Sequence, residues 1–124
     1  MSNLPMTVNG ELRGLIDVMI ERNASDLILT ENQPPIIRVV GDLFPLDGKP
    51  LSAAEARQFA YGLLTDEQRK AFERDLEMDA SFGIKDIARF RVNVFQQRGV
   101  VGTVIRMLPY QIPTLESLGV PEII

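Results

Sequence analysis

From Arg89 to Leu108 the sequence alternates polar and apolar residues in two runs. Successive side chains of a strand point to opposite faces, so such runs are half-buried strands. Gln96-Gln97-Arg98-Gly99 between them reads as a four-residue turn, with Gly99 suited to positive φ. If Phe95 lies opposite Val100, the pairs step outward as Asn93 with Gly102, Arg91 with Val104, and Arg89 with Arg106. Phe90, Val92 and Val94 then join Val101, Thr103 and Ile105 on a core face. The opposite face carries Arg89, Arg91, Asn93, Gly102 and Arg106. A slip of one residue would send the arginines to the core.

The remainder of the chain supplies the other layers. Leu12, Leu15, Ile16, Met19 and Ile20 recur at helical spacing behind Asn9, a capping residue, and predict a helix over about 10–22. Asn23-Ala24-Ser25 ends it. Asp26 to Thr30, Ile36 to Val40 and Leu43 to Leu46 read as strands, broken by Pro34-Pro35 and Gly41-Asp42. Ser52 with Glu55, and Thr65 with Gln68, have capping-box spacing and open two helices, to about Leu64 and about Arg74. The order is helix, three strands, two helices, then two or three strands. That order predicts an α+β domain, an antiparallel sheet with helices packed on one face. Residues 1–111 form the expected domain, and 112–124, with Pro113 and Pro121, read as a linker with a short helical turn after Thr114.

Several chemistries are excluded or disfavoured. Cysteine and histidine are absent, which removes thiol nucleophiles, disulfides, and the commonest general base and metal ligand. No apolar run approaches the roughly 18 residues of a membrane helix, and the first ten residues lack the pattern of a secretory signal. Glu73, Asp75, Glu77 and Asp79 would share one strand face, but without a glycine-centred loop they read as a solvated face and not a calcium site. The net charge of -4 disfavours nucleic acid. Within 85–111, however, Lys85, Arg89, Arg91, Arg98 and Arg106 stand against Asp86 alone. Like charges opposite one another on a sheet are destabilising unless an anion lies between them. Guanidinium groups bind phosphate oxygens as a fork, and Gly102 would leave room beside them. The alternative is that acids elsewhere in the domain neutralise them.

Ala24-Ser25-Asp26-Leu27, then Gln33-Pro34-Pro35-Ile36-Ile37-Arg38-Val39 with Gly41-Asp42, resembles the opening of the PilT-type pilus retraction ATPases. Leu63-Leu64-Thr65-Asp66-Glu67-Gln68-Arg69 continues the likeness. Arg89-Phe90-Arg91-Val92-Asn93-Val94-Phe95-Gln96-Gln97-Arg98-Gly99 is the most specific block. Val104-Ile105-Arg106-Met107-Leu108-Pro109 and Thr114-Leu115-Glu116-Ser117-Leu118-Gly119 complete it. Ile28 departs from the histidine that family members often carry there, which leaves any role of that histidine in doubt here.

The resemblance implies a PAS-like N-terminal domain of the secretion ATPase superfamily, relatives of PilB and GspE, joined by a linker to a RecA-like ATPase domain. It implies cytoplasmic homo-hexamers at the inner-membrane base of a type IV pilus, beside a platform protein, driving retraction and twitching motility. It implies ATP and Mg2+ in the complete protein and neither in the isolated domain. Arg91 and Arg106, with Arg98 as a third position, match arginines that reach nucleotide phosphates held on the other domain. No G-x-x-x-x-G-K-[ST] loop occurs in the chain, so no catalytic residue is expected within it and the phosphate cradle is expected on the RecA-like domain. Two other readings stand beside this one. One is a free-standing PAS-like ligand or protein interaction domain. The other is the same domain from a pilus-extension or type II secretion ATPase.

Overall fold

The computed structural model describes residues 10–46 and 48–109. Helix α1 spans Gly10–Glu21, followed by strands β1 (Asp26–Thr30), β2 (Ile36–Val39) and β3 (Asp42–Pro45). Helices α2 (Ala53–Gly62) and α3 (Asp66–Asp75) come next. Strands β4 (Glu77–Ile84), β5 (Ala88–Gln97) and β6 (Val100–Pro109) finish the domain. The strands form one antiparallel sheet in the order β3-β2-β1-β6-β5-β4. Three helices cover one face, so the α+β architecture is as expected. Asn9 and the segment 112–124, with its predicted turn, lie outside the described residues.

Each helix follows from its residues. Leu12, Ile16 and Met19 of α1 are buried, with Leu15 and Ile20 packed partly against them. The helix ends because Asn23 takes a left-handed φ of 55°. Its amide donates to the Ile20 carbonyl, and the Ala24 amide donates to the Met19 carbonyl, at 3.0 and 2.9 Å. That pair of bonds satisfies two otherwise orphaned carbonyls, and asparagine tolerates the conformation better than most residues. Both capping boxes form. Ser52 accepts from the Glu55 amide at 3.1 Å while its own amide donates to the Glu55 carboxylate at 2.9 Å. Thr65 and Gln68 repeat the exchange at 3.2 and 2.9 Å.

The core lies between the helices and the covered sheet face. Phe90, Val92, Val94, Val101, Thr103 and Ile105 are all buried there, the face assigned by alternation. Leu27 pairs with Ile105 and Leu29 with Thr103, so β1 extends the same apolar surface. Phe82 stacks on Phe90 with ring centroids 4.8 Å apart, which ties β4 to β5.

Two sequence expectations need correction. The β5–β6 hairpin closes at Gln97 with Val100, so only Arg98 and Gly99 form the turn, at φ 54° and 81°. Two consecutive positive φ values match the twist of the flanking strands, which is why two-residue turns of this hand are favoured over looser ones. The tighter turn moves every pair by two residues. Parity is kept and the faces stand, but Arg91 now lies opposite Arg106, and Arg89 opposite Leu108. Second, Glu73 and Asp75 belong to α3, and only Glu77 and Asp79 lie on β4. Leu76, in a left-handed conformation at φ 62°, ends the helix and starts the strand between them.

Candidate phosphate-binding face

The uncovered face of the sheet is built from the other set of side chains. Register places Arg38, Asp26, Arg106 and Arg91 in one row across β2, β1, β6 and β5. Three guanidinium groups and one carboxylate thus stand shoulder to shoulder. Asp26 is the buried member, its side chain 6% exposed, against 64% for Arg106. One Asp26 oxygen accepts from Arg106 Nε at 3.1 Å. The other accepts from Ser25 Oγ at 2.7 Å and lies 3.4 Å from Arg38 Nε. A buried carboxylate requires this much compensation, because desolvating it unpaired would cost several kcal/mol.

Arg91 is different. It is exposed, and no acid lies within ion-pair distance of it among the described residues. Side chains directly opposite on antiparallel strands have Cβ atoms about 5 Å apart, so Arg91 and Arg106 hold two positive charges side by side. They line a shallow depression of about 390 Å³ with Asp79, Val92, Asn93 and Val104. The Asn93 amide donates to Asp79 Oδ1 at 2.9 Å, which holds that carboxylate on the far wall. The alternative of internal neutralisation therefore applies to Arg106, through Asp26, and not to Arg91.

Arg98 does not join this pair. It sits in the hairpin turn, seven residues along β5 from Arg91, roughly 23 Å away at the rise of a strand. Gly102 also differs from expectation. In the observed register it faces Phe95, and a Cβ there would lie 2.5 Å from Phe95 Cζ and 2.7 Å from Cε2. The phenyl ring covers the glycine, so the space beside it is filled by the chain itself and not left for a ligand.

Sequence reasoning missed Asp26, Arg38 and Asp79 as members of this face. For Asp26 the available signal was a lone acid opening an otherwise apolar strand beside a serine. Its partner in β6 could not be inferred, because nothing local announces that β1 pairs with β6. Among the described residues no group of three or more acids could hold a metal ion, and no helix is long and apolar enough to cross a membrane.

No protein-family model matches the chain. Over 114 residues it is 38% identical to the type IV pilus ATPase PilU of Pseudomonas aeruginosa, covering 92% of this chain and 30% of that protein. Over 113 residues it is 39% identical to the type IV pilus retraction ATPase PilT of the same organism, covering 91% and 33%. Among solved structures it superimposes on the pilus retraction motor PilT with bound ADP at a TM-score of 0.76 and 35% identity, over 96% of this chain and 33% of that one. The chain thus spans about a third of the length of the relatives it matches.

Proposed function

This chain belongs with the N-terminal region of the PilT and PilU type IV pilus ATPases, and we propose that it serves as the regulatory and coupling domain of such a motor. In this reading the motor is a homo-hexamer that retracts type IV pili and drives twitching motility. It works in the cytoplasm at the pilus base, against an inner-membrane platform protein. ATP and Mg2+ are held on a RecA-like domain of the same or a neighbouring subunit. The domain described here hydrolyses no ATP alone; it offers guanidinium groups to phosphates bound elsewhere.

The observation that carries the reading is the pairing of Arg91 with Arg106 across β5 and β6. Two cations in one depression, one without an ion-pair partner among the described residues, fit a dianionic or trianionic group. Phosphoryl transfer depends mainly on positioning and on neutralising charge at the β- and γ-phosphates. Loss of the γ-phosphate would release the contacts that hold the two domains together, and ATP turnover would become domain motion. Arg98 lies too far along the hairpin to share that phosphate group. Any nucleotide contact it makes is a separate one.

Alanine substitutions test this in a protein that carries the domain together with its ATPase domain. Arg91→Ala and Arg106→Ala are each expected to lower ATP turnover by about tenfold or more, the equivalent of one charge-assisted hydrogen bond, with the circular dichroism spectrum unchanged. Wild-type turnover in both variants would remove these arginines from the mechanism. ATP hydrolysis by the purified 124-residue chain would contradict the division of labour.

A further inference from the structure

Resting on the phosphate reading of Arg91 and Arg106, we propose that Asp26 is a positioning residue that aims the terminal nitrogens of Arg106 at the bound anion. A guanidinium group has two edges able to grip an oxyanion pair, one that includes Nε and one made by the two terminal nitrogens. Asp26 takes the Nε of Arg106 at 3.1 Å. None of the described contacts of Arg106 uses its terminal nitrogens, and the side chain is 64% exposed. The edge left open belongs to the residue that lines the depression with Arg91.

Asp26 is itself held by two neighbours. Ser25 Oγ donates to its second oxygen at 2.7 Å, and Arg38 Nε lies 3.4 Å from the same atom. The backbone of Ser25 is pinned on both sides, donating to the Arg38 carbonyl at 2.8 Å and accepting from the Met107 amide at 3.0 Å. A rigid carboxylate thus fixes one end of a flexible cation. Holding a four-torsion side chain in its bound arrangement reduces the entropy lost when the anion arrives.

A simpler role makes the opposite prediction. If Asp26 were only a competing negative charge, its removal would strengthen anion binding. In the positioning role, the ordering of the Arg106 side chain that is lost with the carboxylate outweighs the charge gained by removing it. The positioning role therefore predicts weaker binding when the carboxylate is removed, and retained binding when its hydrogen-bonding shape is kept.

Inorganic tripolyphosphate titrated into the 124-residue chain, followed through the arginine Nε–Hε signals by NMR, separates the two. Asp26→Ala is expected to bind about tenfold more weakly, the equivalent of one charge-assisted hydrogen bond. Asp26→Asn, whose amide oxygen still accepts from Arg106 Nε, should bind at least as tightly as wild type. Ser25→Ala, which loosens the clamp from an exposed position, should weaken binding about twofold to threefold and keeps the test open if Asp26→Ala does not fold. Equal or tighter binding by Asp26→Ala, or by Ser25→Ala where that variant stands in, overturns the positioning role. Arg91→Ala reports on the site itself. With the phosphate cradle on the other domain, wild type is expected to respond only at about millimolar tripolyphosphate; if it gives no response even there, or Arg91→Ala binds like wild type, the phosphate reading falls and the positioning role falls with it. A normal Arg91→Ala loss beside an unaffected Asp26→Ala sinks the positioning role alone.

Discussion

Thr103 is fully buried, and its hydroxyl finds no hydrogen-bond partner among the described residues. An unpaired hydroxyl in an apolar layer costs about 1–3 kcal/mol. Thr103→Val exchanges it for a methyl of nearly the same shape and should raise stability by roughly 1 kcal/mol, read as a higher urea midpoint at unchanged slope. A lower midpoint would show that the hydroxyl is satisfied in solution. At this scale the sequence revealed which way side chains face and not whom they meet. Alternation placed Arg91 and Arg106 on the open face in any register that keeps parity, and the observed shift of two residues does so. Their direct opposition depended on the turn holding two residues instead of four, a choice made by the backbone of Arg98 and Gly99.

Turns and caps decide the elements. The β2–β3 hairpin closes at Val39 with Asp42, leaving Val40 and Gly41 in its turn. Val40 has a φ of 50° and is 93% exposed, so a β-branched residue occupies a left-handed position with no packing in return. Val40→Asn keeps the turn and relieves the clash, and should stabilise the domain by about 1 kcal/mol in the same urea assay. A neutral or negative result would mean that the folded turn differs from the one described.

The α2 cap gives an acid response. The Ser52 amide first, and then its hydroxyl, hold the Glu55 carboxyl below its ordinary value. Because the folded value is the lower one, the cap contributes fully above the carboxylate range of an unfolded chain. That contribution is lost as pH falls through the depressed value. An NMR titration of Glu55 should give a midpoint below that of a free glutamate, and Ser52→Ala, which removes the hydroxyl and keeps the amide, should raise it only part of the way back. Boundaries set by caps were legible from spacing alone. Strand β4 was not, because its first residues, Glu77 and Asp79, continue an acidic run out of α3. The switch between the two elements depends on one left-handed Leu76 that no local rule favours.

Across the whole molecule the net charge of -4 hides a cationic row of three arginines against one aspartate. Tripolyphosphate affinity should therefore fall several-fold between about 0.01 M and 0.1 M salt, as the screening length contracts from about 30 Å to about 10 Å. A flat profile would show that the row carries no effective field. Strand order was the least legible property of the sequence. Consecutive strands usually pair, and β1 with β2, β2 with β3, β4 with β5 and β5 with β6 all do. The remaining contact, β1 with β6, joins residues as far apart as Asp26 and Arg106, and only the closing of the core selects it.

That seam makes the sheet two contiguous three-stranded leaves, 26–45 and 77–109, fastened along a single line. During synthesis the first leaf emerges from the ribosome long before the strand that completes it. Until β6 follows, the inner margin of β1 stands open, with Leu27 and Leu29 lacking the neighbours that later bury them. The nascent chain is consequently most exposed to misassociation in the interval when its own future centre is still its border.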